Sequence, residues 1–169
     1  MSAGRKATRG WRVAMLAVAA GLPSAMALAQ SPPTAAPAPA PSEAAAVKRM
    51  PAPADAYVYI GWPNDGEVIR SARFKVWFGT RNFGVAPAGT NVPGTGHHHL
   101  LIDTGLPAMD EPIPSDRNHL HFGLGQTETI LELPPGTHTL QLLMADGNHV
   151  PQDPPLISRK ITIHVRPGG

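Results

Sequence analysis

Cysteine is absent from this 169-residue chain. Its absence excludes disulfide frameworks, thiolate zinc sites, iron–sulfur clusters, cysteine nucleophiles and lipid attachment through an N-terminal cysteine. Beyond residue 54 serine occurs only at Ser71, Ser115 and Ser158, and no Gly-x-Ser-x-Gly elbow surrounds any of them. Gly123-Leu124-Gly125 is not followed by the helix that a dinucleotide fingerprint requires. Asp103, Asp110, Glu111 and Asp116 lie in or beside a Pro-rich loop, which makes them a solvated charge cluster rather than a paired acid and base. Catalysis is therefore unsupported.

Acidic residues are also missing from the first 42 positions, whereas Arg5, Lys6, Arg9 and Arg12 all fall there. These four account for the basicity of the chain, with its pI near 9.3. Without them ten Lys and Arg face 12 Asp and Glu, a net charge of −2. A mildly acidic mature chain lacks the phosphate-binding charge of a nucleic-acid partner. The cations precede a short apolar run, Val13–Leu22, closed by Pro23 and a small-x-small site at Ala27-Leu28-Ala29. Residues 1–29 thus read as a secretory signal peptide. No apolar run reaches the roughly 20 residues of a membrane-spanning helix, so no transmembrane segment is expected after signal cleavage. No twin-Arg pair precedes the run, which favours export in the unfolded state by the general secretory route. The expected location is the periplasm, with secretion as the alternative, and any metal would be acquired after export.

What is abundant is proline and glycine, 20 and 17 residues, too many for a helical bundle. Residues 30–54, built from Pro, Ala and Ser, read as a disordered Pro/Ala-rich linker that either spaces the domain from a cell-envelope partner or is a tolerated tail. The folded domain is expected over 55–169. There, strand signals recur between turn residues. Tyr57–Ile60 precedes a Pro63–Gly66 turn; Phe74, Val76 and Phe78 alternate with Arg73, Lys75 and Trp77. His98–Asp103 and Thr127–Leu133 follow, then Thr137–Ala145 with His138, Leu140, Leu142 and Met144 on one side, and Ile161, Ile163 and Val165 alternate at the end. No segment sustains a 3.6-residue period. The pattern predicts an all-β, immunoglobulin-like antiparallel β-sandwich, with a small β-barrel as the competing architecture. The aromatic residues, Trp62 and Trp77 among them, suffice for one core.

The block PPGTHTLQLLMADGN resembles the strand, turn, strand pattern of bacterial immunoglobulin-like modules, in which a Tyr often stands where His138 falls here and anchors a corner by a hydrogen bond to backbone. The wider series GVAPAGT, GHHHLLID, HLHFGLGQTET, LPPGTHTLQLL and GNHVPQDPP resembles a narrower group over Tyr57 to Val165, the bacterial exported family catalogued as domain of unknown function 4399. The resemblance implies a small exported all-β domain and supplies no reaction.

All eight histidines lie between His97 and His164. His97, His98 and His99 are consecutive, His119 and His121 form an H-x-H pair, and His149 sits in a Pro-rich loop. Residues two apart on a strand share a face about 7 Å apart, so such pairs can converge on one ion. Without cysteine, imidazoles supported by carboxylate or Met are the transition-metal donors this chain has, and they suit copper or zinc. Met144 and Asp146 are near in sequence. The six candidate ligands are His97, His98, His99, His119, His121 and His149. Two arrangements stay open. In one, the loops at Gly79–Gly96 and Asp146–Pro155 meet at one end and join the triplet to His149. In the other, His99 and His121 face each other in mid-sheet. If His119–Phe122 pairs with His98–Asp103 so that His119 lies opposite Asp103, one six-histidine site is excluded. His138 is expected as a hydrogen-bonded core residue and His164 as a solvated one. The function expected is an exported binding module; the alternative is a structural or adhesive envelope module whose histidines only order loops.

Overall fold

The computed structural model describes residues 48–166. The signal peptide expected at 1–29 and the expected linker up to residue 47 lie outside the described residues. Nine strands follow in order: β1 (Tyr57–Trp62), β2 (Val68–Ile69), β3 (Arg73–Arg81), β4 (Gly84–Val85), β5 (Thr95–Ile102), β6 (His119–His121), β7 (Glu128–Glu132), β8 (Gly136–Ala145) and β9 (Ile161–Val165). They form two sheets and not a barrel, one of order β1-β3-β7, the other of order β2-β9-β8-β5-β4 with β6 also on β5. No helix among the described residues is long and apolar enough to cross a membrane.

The period-2 patterns dictate how the sheets meet. On β3, Phe74, Val76 and Phe78 are buried while Arg73, Lys75 and Trp77 are exposed. That inner row joins Val58, Leu131, Leu100, Ile102, Leu140, Leu142, Met144 and Ile163 in one cluster drawn from both sheets. Each fully buried aliphatic side chain contributes about 1.5–3 kcal/mol. Trp77 is not part of this core. It stands on the outer face in edge contact with Tyr59, ring centres 6.4 Å apart, and its indole fills the space that a Cβ on Gly61 would take.

The larger sheet is covered on its outer side as well. Leu101, Leu143, Ala145 and Ile113 form a second cluster, with Met109 and Ile157 against it. This is why β5 is buried at seven consecutive positions after Thr95 rather than alternating. Its even-numbered residues face the main core, and His97, His99 and Leu101 face outward beneath the segment between β5 and β6.

Packing also begins upstream of Asp55. Asp153 N donates to Met50 O at 2.8 Å and Ala52 N to Asp153 O at 3.2 Å. Ala52 rests against the main core.

Candidate metal centre

β5 supplies two rings to the outer face of the larger sheet. His97 and His99 stand opposite Ala145 and Leu143 of β8, at 0% and 1% exposure. On its other edge β5 pairs with β6, so that His99 lies opposite His121 and Leu101 opposite His119. His119 is thus two residues from the expected place opposite Asp103. The cause is Asn118, whose carbonyl accepts from Ile102 N at 2.8 Å and whose side chain donates to Ile102 O at 2.8 Å, closing the ladder there. Asp103 is free to turn to β8 instead.

The fourth ring arrives from the turn after β8. Asp146 caps that turn: its carboxylate accepts from Asn148 N and Val150 N at 2.8 and 3.0 Å, and His149 N donates to Asp146 O at 3.0 Å. His149 itself adopts a φ of +67°, a left-handed conformation that costs a non-glycine residue about 1–2 kcal/mol. Gly89 N donates to Gly147 O at 2.9 Å, so the two long loops do meet. The two arrangements open from the sequence meet in one place: His97 and His99, without His98, reach His149 where His99 faces His121.

His97, His99, His121 and His149 each present a ring nitrogen, and these four atoms lie within 4.8 Å of one another. His97 Nε2 is 3.0 Å from His99 Nε2 and 3.1 Å from His149 Nδ1. The His121 ring centre is 4.9, 5.0 and 4.8 Å from those of His97, His99 and His149. Gly123 permits this, since a Cβ there would come within 2.3 Å of His121 Cε1. A glycine close after a strand signals such an approach, although the sequence alone does not say what approaches. His97 and His99 form the buried floor; His121 is exposed and His149 half-buried.

A single proton accounts for only one of the two close contacts of His97 Nε2. An imidazole nitrogen has one in-plane site, either a lone pair or an N–H, yet His97 Nε2 has two nitrogen neighbours at hydrogen-bond distance. Backbone supplies no partner either: His97 Nδ1 and His99 Nδ1 are buried without a hydrogen-bond partner, each at a cost of about 1–3 kcal/mol. Burial first, then the neighbouring histidines, hold the rings neutral, pushing His97 down to about 4 and His99 down to about 2. Burial followed by His149 lowers His121 also. Ring nitrogens converging from four imidazoles are the donor set that zinc or copper takes. Atoms within 4.8 Å of one another share a point within about 3 Å of each, and a contraction of about 1 Å brings them to the about 2.0–2.1 Å of a zinc–imidazole bond.

Two of the six candidate ligands are elsewhere. His98 points to the opposite side of β5, as strand alternation requires, and packs on Phe78 with ring centres 4.8 Å apart. His119 is turned to Asp116, Nδ1 to Oδ1 3.0 Å, a carboxylate that also accepts from His119 N and Asn118 N and is held below the usual carboxylate range by the His119 hydrogen bond. Met144 lies in the main core, and Asp146 is occupied by the turn. His138 is buried and placed between Asp103 and Pro134 O. His164 is half-buried beside Thr137 Oγ1 at 3.1 Å.

A family model described as "Domain of unknown function (DUF4399)" matches residues 76–166. No curated protein and no solved structure matches.

Proposed function

This chain belongs to the DUF4399 family over more than half of its length, and we propose that its member here is an exported metal-binding module in which His97, His99, His121 and His149 hold one copper or zinc ion. The carrying observation is the position of His97 Nε2 within 3.0 and 3.1 Å of two other ring nitrogens, a contact set that a shared cation satisfies and a shared proton does not. When bound, the ion would accept one lone pair from each ring. Two ligands come from the buried strand β5, the other two are the exposed His121 of a three-residue strand and the half-buried His149 of a turn. Such a division suits an ion that is taken up and released rather than one that holds the fold together. The signal-peptide pattern at residues 1–29 supports export to the periplasm, and the two sheets sharing one core support an immunoglobulin-like sandwich. His138 supports it too, since its contact with Pro134 O parallels the bond to backbone by which a Tyr anchors the corner in such modules.

The test is elemental analysis of protein purified after export, together with Zn2+ and Cu2+ titration of metal-stripped protein. The expected result is one equivalent of metal, lost in His97→Ala and His121→Ala and retained in His119→Ala. Metal content that survives His97→Ala, or wild-type protein that takes up neither ion, overturns the reading.

A further inference from the structure

The turn that delivers His149 is short and strained, and the structure fastens it from outside. On one side Ile113 N donates to His149 O at 2.9 Å. On the other, two residues beyond His149, the guanidinium of Arg49 reaches across more than a hundred positions of sequence. Its Nε donates to Pro151 O at 3.0 Å, its Nη2 donates to Gln152 O, and its Nη1 lies 3.4 Å from Asp153 Oδ1. The backbone continues the attachment through Asp153 N to Met50 O and Ala52 N to Asp153 O, 2.8 and 3.2 Å. Gln152, thus held by its carbonyl, is fully buried. In the orientation that satisfies its amide it donates to Met144 O at 3.0 Å and accepts from Asp146 N at 3.1 Å. The strap therefore connects to the residue that caps the His149 turn.

We infer that residues 49–52 are a strap that positions His149 in the metal centre, with Arg49 as its positioning residue. The inference rests on the metal reading above. A planar fork of donors is what lets one side chain gather two carbonyls and a carboxylate at once. Without Arg49 the turn keeps its Asp146 and Ile113 bonds but loses its fastening beyond His149, whose φ of +67° then relaxes and draws the imidazole away from the other three. The metal-competent unit thus starts upstream of Arg49, within the stretch whose Pro/Ala composition reads as linker.

The experiment uses the full mature chain and Cu2+ as probe. Affinity is measured by chelator competition, and the bound nitrogens are counted by electron paramagnetic resonance. Four proteins are compared: wild type, Arg49→Ala, His149→Ala and the double variant. Arg49→Ala is expected to weaken Cu2+ binding by about tenfold, the low end for residues that orient ligands, and to reduce the nitrogen count from four to three. In the His149→Ala background it is expected to change nothing further, because its effect passes through that ring. Arg49→Lys, which keeps the charge but not the fork, should fall between. Amide exchange of residues 147–150 in metal-free protein should accelerate in Arg49→Ala, a readout independent of any metal. Unchanged exchange, unchanged Cu2+ affinity in Arg49→Ala, or equal weakening in both backgrounds overturns the strap and leaves the metal reading standing. Wild-type protein that binds no Cu2+ removes the centre, and with it the strap's role there.

Discussion

His138 Nδ1 lies 2.7 Å from Asp103 Oδ2, while His138 Nε2 lies 2.9 Å from Pro134 O. Both partners are acceptors, so the protonated ring, which donates from both nitrogens, is the form that satisfies them together. Burial opposes that charge, but the Asp103 hydrogen bond, the Pro134 carbonyl and the Asp103 charge outweigh it and raise His138 above its ordinary value. A raised histidine stabilises the fold fully below about 6.5, its unfolded value, and the contribution fades as pH rises through the folded one. Asp103→Asn keeps the left-handed backbone that Asp103 adopts, φ +54°, and removes the carboxylate charge. We predict a loss of about 1–2 kcal/mol at pH 6 that shrinks by pH 9, read from urea midpoints. Equal losses at both pH values would show that only the bond from Thr139 N to Asp103 matters.

The histidine triplet gives the opposite dependence. Burial, with the neighbouring rings, holds His97 down to about 4 and His99 down to about 2, and burial holds His98 down to about 4. Between the unfolded value of 6.5 and those values the unfolded chain binds protons that the native chain refuses. Stability of metal-free protein is thus complete above about 6.5 and is lost as pH falls toward 4, by about 1.4 kcal/mol for each tenfold difference in proton affinity. Urea midpoints at pH 7.5 and pH 5 in the presence of a chelator check this. The His97→Ala variant should show a shallower decline.

How much of this was legible depended on whether one strand sufficed to read it. The alternation of Phe74, Val76 and Phe78 against Arg73, Lys75 and Trp77 is a property of β3 alone, and it gave both the element and its buried face. The same alternation places His98 opposite His97 and His99. The strands β2 and β4 have two residues each and leave no period to read. The register that sets His99 opposite His121 depends on where Asn118 closes the ladder, and His149 is held by the bond from Ile113 N to its carbonyl and, through the residues just beyond it, by Arg49. Those are long-range contacts with no local pattern. The strap at residues 49–52 was hidden for another reason: backbone pairing needs no apolar side chain, so a Pro/Ala stretch can pack while reading as linker.

His98 provides a prediction that separates stability from binding. Neither of its buried ring nitrogens makes a well-aligned hydrogen bond, the Gln126 backbone being the one polar group that acts on the ring, which lies against Phe78 on the core side of β5. Leucine has nearly the same volume and no polar atoms. We predict that His98→Leu raises stability by about 1 kcal/mol, because a buried unsatisfied polar group is removed, and leaves metal stoichiometry at the wild-type value. A variant that folds but has lost its metal would return His98 to the ligand set.

Gly123 and His121 make the sharpest steric test of the centre. A Cβ at position 123 would stand 2.3 Å from His121 Cε1 and 2.7 Å from its Nε2, both below contact distance, so the ring must swing away. Of the four clustered rings His121 is the exposed one, and it can move into solvent without disturbing the core. Gly123→Ala should therefore leave the thermal midpoint within a few degrees of wild type, as surface substitutions of about 0.5 kcal/mol or less do, while weakening Zn2+ and Cu2+ binding about as much as His121→Ala. Combining Gly123→Ala with His121→Ala should give no further loss, since the first acts only through the second. Full metal affinity in Gly123→Ala would mean that the ion does not need His121 where the fold now holds it, and three rings would then make up the centre.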